Sequence, residues 1–141
     1  MANFTHPFDK RLEHRAVASA ALTATATLAT ITERAAQRTA YRTLVGIEAL
    51  DIASNDELYQ IVIECSNDSF STVETAAIRD FGATEVRQSG APDTAVGDEI
   101  EILWTTEIGA TKYAASRIRL IVAGTSPSVT LFCHSTVLGS V

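Results

Sequence analysis

Long apolar runs are missing from this chain. No stretch of about 18 or more apolar residues occurs, so nothing in it reads as a membrane-spanning helix. Aromatic residues are scarce, 6% of the sequence, so a core must be built mainly from Ile, Leu, Val and Ala. Such a core is thin, and partner surfaces are expected to supply part of the burial. Charged residues are also few, 20% against 46% hydrophobic, which is too apolar for a disordered chain. The two cysteines, Cys65 and Cys133, lie in apolar runs without CxxC spacing; buried reduced thiols are the expectation. The opening residues 1–15 lack the apolar centre of a secretory signal, so synthesis in the cytoplasm is expected.

Chemistry-bearing motifs are absent as well. No GxSxG, P-loop or GxGxxG pattern occurs. Of the three histidines, His6 and His14 stand in the irregular start with no HxH or HExxH spacing. His134 alternates with Cys133, so on a strand the two point to opposite faces and cannot share a metal. Asp98, Glu99, Glu101 and Glu107 form an acidic group. A solvated sheet face opposite Ile100 and Ile102 explains it better than paired catalytic carboxylates. Arg117 and Arg119 share one strand face and could pair across strands with Glu99 or Glu101, or with acids of another subunit. No catalytic set, cofactor site or metal site is predicted. The expectation is a protein that binds other surfaces and is not an enzyme.

What is present is one domain's worth of alternating strands. The chain has 141 residues and a net charge of −6. Residues 1–50 carry six Lys/Arg against four acids, whereas residues 51–141 carry five against thirteen. The acidic body and the lack of a dense basic stripe argue against a nucleic-acid partner. A mildly basic front and an acidic body can recognise a complementary copy or another charged protein.

Residues 1–15 hold no period, and Pro7 interrupts them; they are read as an N-terminal arm. Its candidate contact residues are Phe4 and Phe8 as apolar anchors, with Lys10, Arg11 and Arg15 as a basic cluster. Residues 16–141 are read as a single β domain. Alternation predicts strands over Ala18–Ile31, Tyr41–Ile52, Leu58–Cys65, Ala76–Phe81, Glu99–Thr105, Arg117–Ala123 and Val129–Val137, with a short extended piece at Phe70–Val73. Glu33–Ala40 reads as a loop or one helical turn, Gly46 as a bulge, and Gly109–Lys112 as a turn. The longest loop, 84–98, is a candidate contact surface. The predicted core is Leu22, Val45, Ile47, Tyr59, Ile61, Ile63, Ile102, Leu120, Val122, Val129 and Leu131. Seven to eight strands without a long amphipathic helix make an all-β sandwich or jelly roll.

One family resemblance follows from the order of these parts. The Thr/Ala-rich stretch Ser19–Thr30 comes first, then Asp56-Glu57-Leu58-Tyr59 leading into Gln60-Ile61-Val62-Ile63. Cys65-Ser66-Asn67-Asp68-Ser69-Phe70 and the run ending at Phe81-Gly82 follow. Tyr113 and Arg117-Ile118-Arg119-Leu120 precede Val122 to Val129. In this order the chain from about Ala18 onward resembles the small jelly-roll capsid cement (decoration) proteins of tailed bacteriophages. It departs from them in its longer charged arm and in Cys65, where a small residue is more usual. The resemblance implies a jelly-roll-like β-sandwich without catalytic residues, seated on the virion as a capsid protein of the exterior. It implies the major capsid protein as partner, together with a second copy (homo-dimer, or trimer), and no nucleic acid or membrane. Other phage parts, such as a head–tail connector or tail protein, and a carbohydrate-binding sandwich are the alternatives.

Overall fold

The computed structural model describes residues 12–88 and 90–140. Among them are nine strands and no α-helix: β1 (Glu13–Arg15), β2 (Ala26–Gln37), β3 (Thr39–Leu50), β4 (Leu58–Ser66), β5 (Glu74–Gly82), β6 (Glu99–Thr105), β7 (Glu107–Ile108), β8 (Thr111–Ala123) and β9 (Val129–Ser140). Four antiparallel pairings, β1 with β9, β2 with β8, β3 with β6 and β4 with β5, are the rungs of one long ribbon turned back at the β4–β5 loop. Rolling that ribbon sets β9 against β3 and β8 against β4. The result is two sheets, β1-β9-β3-β6 and β2-β8-β4-β5, with β7 a short excursion on β8. This is jelly-roll order, and the expected all-β sandwich is the fold observed.

Period-two alternation explains why the ribbon closes on itself. In β4, Tyr59, Ile61, Ile63 and Cys65 all face inward and are fully buried. Ile118 and Leu120 of β8 extend that face, and Val45, Ile47, Ile102, Trp104, Val129, Leu131 and Cys133 meet it from the other sheet. Each enclosed aliphatic side chain stabilises the fold by roughly 1.5–3 kcal/mol relative to exposure. The aromatics are placed where their polar ends find partners. Tyr59 Oη donates to Asp51 O at 2.6 Å and accepts from Ser128 N at 3.0 Å, so one ring ties together both loops at that end of the sandwich.

Nine of the eleven predicted core residues are buried, while Leu22 and Val122 are only half-buried at the margin. Several local expectations are corrected. The strand expected from Ala18 starts only at Ala26, because residues 16–25 cross from one sheet to the other and have no continuous partner. Ala18 sits at φ 61°, and Leu22 makes a single bridge to Val129. Glu33–Ala40 is neither loop nor helical turn. β2 runs on to Gln37, opposite Tyr113, and β3 opens at Thr39. Phe70–Val73 is not extended: Ser69 and Phe70 both have positive φ, which folds Phe70 back over Arg117, 4.7 Å from its ring centre. Thr111 and Lys112 belong to β8, so the turn there is Gly109-Ala110. Gly46 is not at a bulge; the register shifts of β3 lie at Ala40/Tyr41 and Ile47/Ala49.

Candidate interaction surface

β1 shows that the end of the predicted arm belongs to the sheet: Glu13 pairs with His134 and Arg15 with Cys133. The Arg15 guanidinium donates to Ala20 O, which ties it to its own backbone. Phe4, Phe8, Lys10 and Arg11 lie outside the described residues.

Next to β1, the outer face of its sheet collects side chains from three strands. The register sets Arg42 of β3 between Leu103 of β6 and Thr136 of β9, and Leu44 between Glu101 and His134. β9 advances two residues, Val137 to Gly139, while β3 advances one, so Leu138 is the extra residue of a bulge. Leu138 is 57% exposed and Leu103 across β3 60%; Val137, opposite the buried Tyr41, lies on the inner face and reaches solvent only at the end of the sheet. Large apolar groups are therefore left outside at one end of this sheet, flanking β3. Between them Arg42 bonds Glu101 at 2.7 Å, an exposed pair that fixes position more than it adds stability. Glu99 and Glu101 are solvent-facing, as expected of that acidic row.

The outer face of the other sheet is organised differently. Arg117 and Arg119 do not meet Glu99 or Glu101, because β6 and β8 lie in different sheets. Their partner is Glu64 of β4, at 3.0 and 3.2 Å. Glu64 is buried under the pair, and Phe70 caps Arg117, so these charges are already used within the chain. The 84–98 loop is braced. Thr94 exchanges two bonds with Gly82, Thr84 N donates to Asp93, and Arg87 reaches both Asp80 and Pro92 O. An open groove beside it is lined by Gln60, Ile78, Arg79, Asp80, Arg87 and Gln88.

Spacing in the sequence did not reveal that β1 brings His14 close to His134. The His14 ring sits on the inner side, bonded to Ser135 Oγ at 2.7 Å. Burial, and then His134, push its pKa down to about 4. Burial pushes the thiols of Cys65 and Cys133 up to about 12, so both are protonated at neutral pH and carry no thiolate. Among the described residues no three His, Cys, Asp or Glu gather as a metal site would require.

No protein-family model and no curated protein matches this chain. In solved structures it is similar to a chain of infectious bursal disease virus, Gx strain, with 8% identity and a TM-score of 0.42. That match covers 83% of this chain and 26% of the other. It is also similar to a chain in the crystal structure of the T13 particle of the same virus, with 10% identity and a TM-score of 0.45. Here 82% of this chain and 27% of the other are covered. This chain thus spans about a quarter of the length of the solved chains it resembles.

Proposed function

We propose that this protein is a capsid cement protein that acts by binding, not by catalysis. On this reading it sits on the exterior of a tailed phage head, holds the major capsid protein across subunit seams, and works as a homo-oligomer. The observation that carries the reading is the apolar pair left outside a closed jelly roll: Leu103 and Leu138, on either side of β3 beside the Arg42–Glu101 pair. A closed sandwich has no need of these exposed leucines for its own core, and on this reading the assembly covers them. The resemblance in sequence order to decoration proteins points to the same role. A cement protein adds buried area at each seam, and modest contacts repeated over a shell accumulate, although association costs keep area from converting directly into affinity.

The test is binding of the purified protein to phage capsids that lack it, read as occupancy by co-sedimentation. Wild type is expected to saturate the shell with hundreds of copies. Leu103→Glu with Leu138→Glu should lose at least ten-fold in affinity while leaving the melting temperature near wild type. A stoichiometry of six or twelve would point instead to a connector. No binding to any capsid would end the cement reading.

A further inference from the structure

Four side chains cross the inside of the β1-β9-β3-β6 sheet as a single relay. Trp104 Nε1 donates to Thr43 Oγ1 at 2.8 Å, Thr43 Oγ1 meets Ser135 Oγ at 2.8 Å, and Ser135 Oγ meets His14 Nε2 at 2.7 Å. Trp104, Thr43 and Ser135 are buried, and among the described residues the two hydroxyls have no other side-chain partners. An indole N–H can only donate, so Thr43 Oγ1 accepts from Trp104, and one arrangement of the remaining hydrogens gives every hydroxyl in the relay an acceptor. Thr43 gives its own hydrogen to Ser135. Ser135 then gives its hydrogen to His14, whose Nε2 is the unprotonated acceptor in that arrangement. A protonated His14 would donate at both ring nitrogens and reverse the last bond. Ser135 would turn to Thr43, and the Thr43 hydroxyl hydrogen would be left buried without an acceptor.

We infer that β1 is a pH-operated latch, in which neutral His14 holds the strand to β9 and protonation releases it. β1 has only three residues, and its pairing rests on Glu13 with His134 and Arg15 with Cys133, so the His14 bond is a large share of what secures it. The titratable group of β9 on the inner face beside His14 is the Cys133 thiol, which burial keeps protonated; His134, next to it in β9, faces outward. Burial and Arg42 of β3 lower the His134 pKa, and Glu13 of β1 and Glu99 of β6 raise it. β2 contributes Ala, Thr, Leu and Ile over Ala26–Thr32 and carries Glu33 and Arg34 beyond, where Glu33 accepts from the Tyr41 hydroxyl. Burial is the larger cause that lowers the His14 pKa, and His134 is the second. Release would free the β9 edge for an extended segment of a neighbouring chain, because an unpaired strand accepts another by backbone bonds. The inference goes beyond the capsid reading, since the latch belongs to the free protein.

The experiment is amide hydrogen exchange on the full chain in solution from pH 7 to pH 5, corrected for intrinsic exchange, with the His14 imidazole followed by NMR. From a shift of 6.5 to about 4, protection of Glu13–Arg15 should fall ~20-fold between pH 7 and pH 5, while the β4 amides keep theirs and show that the domain stays folded. His14→Gln, which keeps an acceptor that does not titrate, should hold β1 equally at both pH values. Ser135→Ala should loosen β1 at both. Flat wild-type protection would overturn the latch. So would a His14→Gln protein with the wild-type pH dependence, or a Ser135→Ala protein whose β1 remains as protected as wild type at pH 7.

Discussion

The ring of Phe132 occupies the space in which a side chain on Gly46 would stand. A Cβ at Gly46 would lie 2.1 Å from two ring carbons, although the glycine itself has ordinary strand geometry on β3, opposite Phe132 in the register. The glycine is thus there for ring contact, not for a turn. Gly46→Ala should destabilise the domain by about 1–3 kcal/mol in urea denaturation, because the ring must leave its seat. In a Phe132→Leu background the same substitution should cost much less. A double-mutant cycle with no coupling would show the contact to be unimportant.

The two ion pairs on opposite sheets should behave differently. Glu64 is buried between two arginines, whereas Glu101 and Arg42 are exposed. Glu64→Gln leaves two partly buried guanidiniums without a counter-charge and should cost about 2–4 kcal/mol, with little dependence on salt. Glu101→Gln should cost less than about 1 kcal/mol and be screened by salt. Equal costs would mean that Glu64 is hydrated in solution.

Two deletions separate the arm from the fold. Removing residues 2–11 should leave the melting temperature close to wild type and lower capsid occupancy, if Phe4, Phe8, Lys10 and Arg11 are anchors. Removing residues 2–15 also takes away β1 and should lower the melting temperature by several degrees. Unchanged occupancy after the shorter deletion would rule out the anchors.

The β4–β5 turn gives a pH dependence of its own. Asp68 accepts from the hydroxyl and backbone N–H of Thr72 and from Ser66, and these bonds hold its pKa down to about 2. A depressed carboxylate contributes stability above its unfolded value of 3.8, and the contribution is lost as pH falls through about 2. In thermal melts the advantage of wild type over Asp68→Ala should therefore be full at pH 5, shrink below pH 4 and nearly vanish by pH 2. A gap of constant size across that range would show that the carboxylate charge is not involved.

Strands with one buried face were legible in the sequence. β4, flanked by β8 and β5, and β6, the edge strand beside β3, lie where alternation put them, because only one side-chain parity fits the core. The β2 region misled. Alternating Ala and Thr at 18–25 match a strand pattern, but pattern says nothing of whether a partner is in reach, and this stretch is in transit between sheets. The charged, alanine-rich Glu33–Gln37 looked like a loop, yet Glu33 accepts the Tyr41 hydroxyl at 2.8 Å and the strand continues. Arg117 and Arg119 were matched to the wrong acids because adjacency of β6 and β8 in sequence is undone by the roll. The surface around Leu103 and Leu138 needed the bulge in β9, which no local signal announces. The same is true of His14, whose partners lie 121 residues away.

The rolled ribbon also bears on how the chain is made. β1 pairs with β9, so the first strand of the domain waits for its partner until Val129–Ser140 has been synthesised. At about 5–20 residues per second that delay is on the order of 10 s. Until the ribosome finishes β9, the inner faces of both sheets stay open to chaperones and to other nascent copies. The domain's own closure is consequently its last folding event, a high-contact-order step expected in milliseconds to seconds once the chain is whole.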